Sequence, residues 1–199
     1  MSPAIAALAA RARLVNRQEK GLPVLLAADS ALFGSLIGAY LIARTASPTW
    51  PRPLHFPSGL MTVAMIMFAI AASLAMRVAV TYGKRKDFTM TQRMLVLAIV
   101  GWGTFLLLLA MEWARLFLFE HVQLLSNPWH VAALGISYYG LTGILAAHVL
   151  AGSIWLLAAA QHPTRWRLLS LEIFVDYVNA VFLVIAFALI FSSMDLNGF

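Results

Sequence analysis

The sequence predicts an all-α fold, a polytopic membrane bundle of five transmembrane helices with its N-terminus inside and its C-terminus outside. Composition is the first ground: 62% of the 199 residues are hydrophobic and 11% charged, with a mean hydropathy of +0.84, whereas soluble domains average about half apolar and about a quarter charged. Span length is the second, because crossing about 30 Å of hydrocarbon takes about 20 apolar residues and five runs reach that length: 22–43, 58–81, 94–118, 130–160 and 169–193. The third is the want of strand-like alternation, which leaves helices as the spanning structure.

Residues 1–20, ahead of the first span, form a segment of their own. Its apolar stretch AIAALAA precedes Arg11, Arg13 and Arg17, the reverse of a secretion signal, so it reads as a retained interfacial helix or a disordered tail. Residues 21–199 then make one five-helix domain. After span one comes SPTWPRPLHFPSG with its four prolines, after span two YGKRKDFTMTQR, after span three EHVQLLSNPW and after span four QHPTRWR. These stretches are expected to interrupt the helices. Trp50, Trp113, Trp129 and Trp166 fall at span ends, where amphipathic rings favour the headgroup zone.

Orientation follows from the basic residues. Arg11, Arg13, Arg17, Lys20, Lys84, Arg85, Lys86, Arg93, Arg165 and Arg167 fall on one side, against Arg44, Arg52 and Arg115 on the other. The richer side is cytoplasmic.

Within the spans, Asp29, Glu112, His148, Glu172 and Asp176 are costly at about 2.5–3.5 kcal/mol each near a helix centre, and each is a functional candidate for that reason. Asp29, His148 and Asp176 fall in the inner half and are expected to share a layer. An Asp29–His148 contact has two readings, a structural clasp or a proton relay; no continuous path of such groups crosses the bilayer, which favours the clasp. Glu172, Asp176 and Asn179 lie at i, i+4 and i+7, on one helix face expected to be buried in protein, with Arg167 a further partner for Glu172.

Glu112 and Arg115, at i and i+3 near the outer end of span three, are expected to form a structural ion pair beside Trp113 in the interface. Arg77 either snorkels to the inner surface or holds a lipid phosphate. Gly135, Gly140, Gly143, Ala147, Ala151 and Gly152 make span four rich in small residues that allow close helix contact.

Redox ligation finds no constellation. There is no cysteine, and of His55, His121, His130, His148 and His162 one alone, His148, falls deep in a span, so no two share a depth for haem. No metal site is expected, and no catalytic residue is assigned.

Four stretches in order resemble the subunit III family of haem-copper oxidases (cytochrome c or quinol oxidases). LLAADSALFGSLIGAYLIAR is similar to the helix carrying a membrane-embedded acid, here Asp29, followed by Phe33. GWGTFLLLLAMEW is similar to the run ending in an acidic-aromatic pair, here Glu112 and Trp113. LTGILAAHVLAG resembles a Thr-Gly signature and gives Thr142, Gly143, His148, Val149 and Gly152, while FVDYVNAVF resembles the last helix and gives Phe174, Val175 and Asp176. The likeness covers about residues 17–194, in the length of the short five-helix bacterial form. Departures stand at Ala28, Leu145, Leu109, Ile173 and Asn179, where the family has Ser, His, Gln, His and Trp, and mark a divergent branch.

The resemblance implies a subunit without cofactors of its own in a bacterial cytoplasmic (inner) membrane. It implies haem and copper in partner subunits, the catalytic oxidase subunit as chief partner, bound phospholipid with Arg77 and His148 as candidate contacts, and a supporting role in proton uptake during aerobic electron transport. Two alternatives stand beside it: an accessory protein of a nitric oxide reductase system, which resembles the same family, and a small proton-coupled transporter built on Asp29 and His148.

Overall fold

A computed structural model describes residues 3–47, 59–127, 130–161 and 164–191. Of residues 3–20, 132, 165–166 and 190–191 the backbone alone is described. Trp50, Arg52, His55, Trp129 and His162 lie outside the described residues, as does the Trp166 side chain.

The chain is all-α. Five helices follow one another: α1 (Pro3–Ala46), α2 (Gly59–Lys84), α3 (Phe88–Leu118), α4 (Ala132–Gln161) and α5 (Arg165–Phe191). Each holds a stretch long and apolar enough to cross a membrane, so this is a multi-pass membrane protein.

Two compact units divide the chain, Met1–Ser35 and Leu36–Phe199. In the first, α1 begins at Pro3 and runs without a break into the apolar run. Pro23 lies inside this helix and withholds one backbone N–H, a loss that membrane helices tolerate. In the second unit α2 packs on α3 and α5, α3 on α4, and α4 on α5, which closes a four-helix ring.

Small residues bring α2 and α3 close together in that ring. Ala69, Ala72, Ala75 and Ala79 line the buried face of α2, and Gly101 of α3 meets Ala72 and the Phe68 carbonyl so closely that an added Cβ would lie 3.3 Å from each. Outward, Val63, Met67, Leu74, Val96, Leu97, Leu107 and Leu150 are exposed. Large apolar groups outside and small ones at the contacts suit a solvent of acyl chains, in which helices associate through close packing rather than through hydrophobic expulsion.

Boundaries differ from the hydropathy reading at two corners. The stretch YGKRKDFTMTQR is not a long break: α2 continues to Lys84 and α3 begins at Phe88. The turn is closed by hydrogen bonds from Lys86 N–H to the Gly83 carbonyl (3.1 Å) and from Asp87 N–H to the Tyr82 carbonyl (3.1 Å), the paired pattern of a Schellman motif. Lys86 takes the left-handed position, φ 60°. Asp87 then caps α3, its carboxylate accepting from Met90 N–H at 3.0 Å. Hydropathy sees where the hydrocarbon ends, whereas a cap decides where the helix ends. At the other corner α5 starts at Arg165, ahead of its apolar run.

Candidate functional site

Polar side chains gather in two places in the unit Leu36–Phe199, one at the end of the ring where α3 passes to α4 and one between α2 and α5.

At the first, α3 brings Glu112 and Arg115 onto one side. Glu112 is wholly buried and is gripped by Arg115 through two bonds, Nη2 to Oε1 at 2.8 Å and Nε to Oε2 at 3.1 Å. Arg115 Nη1 donates to Glu120 Oε1 at 3.0 Å. A bidentate grip by one guanidinium suits a carboxylate cut off from water, because both oxygens find donors. The α3–α4 connection folds over this pair. Val122 is fully buried; its N–H donates to the Leu116 carbonyl, and its own carbonyl accepts from the Tyr139 hydroxyl at 2.8 Å. Further along, Asn127 accepts from Val131 N–H and donates to the Val131 carbonyl, which steers the chain into α4.

Trp113 is half-buried. Its indole N–H donates to Thr142 Oγ1 at 3.1 Å, and Thr142 donates to the Tyr138 carbonyl at 2.7 Å. The Trp113 ring meets Tyr139 edge-on, and Gly143 faces the same indole at 4.0 Å from its would-be Cβ.

The second place is built by α2, α3 and α5. Asn179 is buried at the centre of a three-helix node. Its Oδ1 accepts from Trp102 Nε1 at 3.1 Å, and its Nδ2 donates to the Ala69 carbonyl and to Ser73 Oγ, each at 2.8 Å. One turn away, Arg77 Nη2 donates to Asp176 Oδ2 at 3.0 Å. Between α2 and α5 a groove of about 260 Å³ opens, with Ser73, Arg77, Asp176 and Asn179 among apolar walls that include Leu74 and Leu183.

The three residues expected to share an inner layer have the following surroundings. Asp176 takes Arg77, on another helix, as its ionic partner. His148 is half-buried, with Nδ1 2.8 Å from the carbonyl of Ile144 on its own helix. Asp29 is half-buried on α1, within the unit Met1–Ser35. The Glu172, Asp176 and Asn179 face is not uniformly buried: Asn179 is enclosed, Glu172 half-buried and Asp176 open to the groove. Among the described residues no three His, Asp or Glu side chains converge in metal-binding fashion.

The small residues of α4 allow close contact with neighbouring helices at some positions and not at others. Ala147 and Ala151 are exposed, and a Cβ on Gly140 would meet nothing. Gly152 instead leaves room for the rings of Trp102 and Phe174, and Gly135 for the Gln123 and Leu124 carbonyls.

Trp102, Ser73, Tyr139 and Asn127 escaped the sequence reading. Trp102 alone carried a legible signal: an indole in mid-span has an N–H that lipid cannot satisfy, so a polar side chain on another helix has to meet it.

No known protein-family model matches this chain, and no curated protein does.

Proposed function

We propose that the chain is a non-catalytic supporting subunit of a terminal respiratory haem-copper oxidase, of the subunit III kind. It sits in a bacterial cytoplasmic membrane with its N-terminus inside, and it stabilises the catalytic subunit, retains phospholipid and sustains proton uptake. Haem and copper belong to the partner subunits on this reading.

One observation carries it: three of the four motifs of the resemblance, those on α3, α4 and α5, meet in pairs. Trp113, from the acidic-aromatic pair, donates its N–H to Thr142 of the Thr-Gly signature. Gly152, which closes that signature, makes the space that Phe174 of the Phe-Val-Asp motif enters. Chance likenesses scattered along a chain have no reason to converge, whereas motifs retained for one architecture do. The acid of that last motif, Asp176, is held by Arg77, so a charge deep in the membrane is balanced, as a stabilising role requires.

The test is mild-detergent purification of the tagged full chain from its native membrane. A haem-copper catalytic subunit identified by mass spectrometry, with the matching haem difference spectrum, is the expected result. A nitric oxide reductase subunit in its place would move the reading to that system, and recovery with neither would sink it.

A further inference from the structure

Within α2 and α3 the fold balances two of its cations with carboxylates: Arg77 meets Asp176, and Arg115 meets Glu112 and Glu120. At the α2–α3 corner it does not. Residues 84–93 bring Lys84, Arg85, Lys86 and Arg93 together with one acid, Asp87, whose carboxylate is engaged by Met90 N–H. All four basic side chains are exposed, and none of them forms an ion pair among the described residues. Arg85 rests over the Tyr82 ring at 6.0 Å. Arg167, exposed near the start of α5, comes to the same end of the ring, because Gly83 abuts Leu168.

Depth places these charges at the membrane surface. With 26 and 31 residues, α2 and α3 are about 39 Å and about 46 Å long, against about 30 Å of hydrocarbon. The three residues that join them are too few to leave the headgroup zone. Arg93 lies five residues after Phe88, or about 8 Å along the axis, where a centred α3 enters the hydrocarbon. Val96, Leu97 and Val100 continue its face at i+3, i+4 and i+7, apart from the buried face of Leu95, Ala98 and Trp102. A ligand that gives Arg93 an anion and the next turns hydrocarbon is a lipid, whereas an acidic protein arriving from water offers the first alone.

Charge selects which lipid. A zwitterionic headgroup brings its own cation with its phosphate, and an uncharged helix laid over the corner would leave four positive charges unbalanced. The unit Met1–Ser35 has the same sign wherever it lies, since Arg11, Arg13, Arg17 and Lys20 outnumber Glu19 and Asp29. A net negative headgroup supplies what the chain lacks, at about fivefold in preference for each basic residue near the surface.

We propose that the α2–α3 corner is a binding site for anionic phospholipid, its headgroup held by Lys86 and Arg93 with Lys84 and Arg85 alongside, and its acyl chain laid on Val96, Leu97 and Val100. The inference stands on charge and depth and does not rest on the oxidase reading.

Because the chain has no cysteine, a single introduced thiol carries a fluorophore cleanly. Thr89→Cys places it at the corner, and Leu118→Cys, exposed at the far end of α3, serves as the control. The full-length labelled protein is reconstituted in liposomes of phosphatidylcholine and phosphatidylglycerol, with one or the other lipid carrying a nitroxide quencher. Quenching at Thr89→Cys is expected to give about a tenfold preference for phosphatidylglycerol, and at Leu118→Cys less than twofold. Adding Lys86→Gln and Arg93→Gln is expected to lower the preference at Thr89→Cys at least threefold. Inorganic phosphate is expected to change it no more than chloride of equal ionic strength does. A preference at the corner no larger than at the control, no loss in the Gln variant, or displacement by phosphate beyond the chloride effect, which would mark a site for the free anion, would each overturn the proposal. The two parent thiol chains decide the matter even if the Gln variant fails to fold.

Discussion

Gly152 stands where rings from two other helices, Trp102 and Phe174, fill the space a side chain would take. Since neither ring has a flexible end to swing aside, Gly152→Val is expected to cost at least the 1–3 kcal/mol typical of overpacking, read as a lowered Tm in detergent. Asn179 gives a second test at the same scale. Asn179→Leu strands the Trp102 N–H and removes the bonds to Ala69 and Ser73, at about 1–3 kcal/mol for the buried groups left without partners. Adding Trp102→Phe removes the stranded donor, so the double variant is expected to be less destabilised than the two single changes summed. Additive costs in that cycle would mean that the node does not act as a unit. Arg115→Gln leaves the carboxylate of Glu112 buried beside a group with no charge, and breaking a buried pair from one side costs about 3–5 kcal/mol. Here Glu112→Gln with Arg115→Gln is expected to recover part of the loss.

Among the elements, the α2–α3 corner is set by two residues with separate duties. Lys86 holds φ at 60°, a conformation in which a Cβ costs about 1–2 kcal/mol and glycine almost nothing. Lys86→Gly is therefore expected to raise stability by up to about 1 kcal/mol, whereas Asp87→Ala, which removes the cap on Met90 N–H, is expected to lower it by about 1 kcal/mol. Opposite effects from neighbouring residues in thermal melts would separate turn strain from capping. The α3–α4 connection is likewise structure rather than spacer, because Val122 and Asn127 tie it to both helices. Its Pro128 lies outside the described residues. Legibility differs between these elements: the apolar runs of α2 to α5 were plain in the sequence to within a few residues, but their ends were not. A cap or a Schellman turn is a matter of a single hydrogen bond or a single φ angle, and hydropathy averages over both.

For the molecule as a whole, the distribution of basic residues makes a topological prediction. With the N-terminus inside, a thiol at Lys86 is expected to react with membrane-impermeant maleimide only from the cytoplasmic side, and one at exposed Leu125 only from the opposite side; reversed labelling would refute the orientation. The sequence by itself determined the all-α class, the five spans and the candidate charges within them, since the cost of exposing backbone and charge to hydrocarbon acts locally and leaves its mark on composition. It also placed Glu112 and Arg115 together, because i and i+3 on a helix are neighbours whatever surrounds them. What it did not contain was the pairing between helices. Arg77 meets Asp176 across 99 positions of sequence, and Trp102 meets Asn179 across 77. Those partnerships were decided by the tertiary structure, because rotation and depth of packed helices bring side chains together, and neither can be read from the period of a single span.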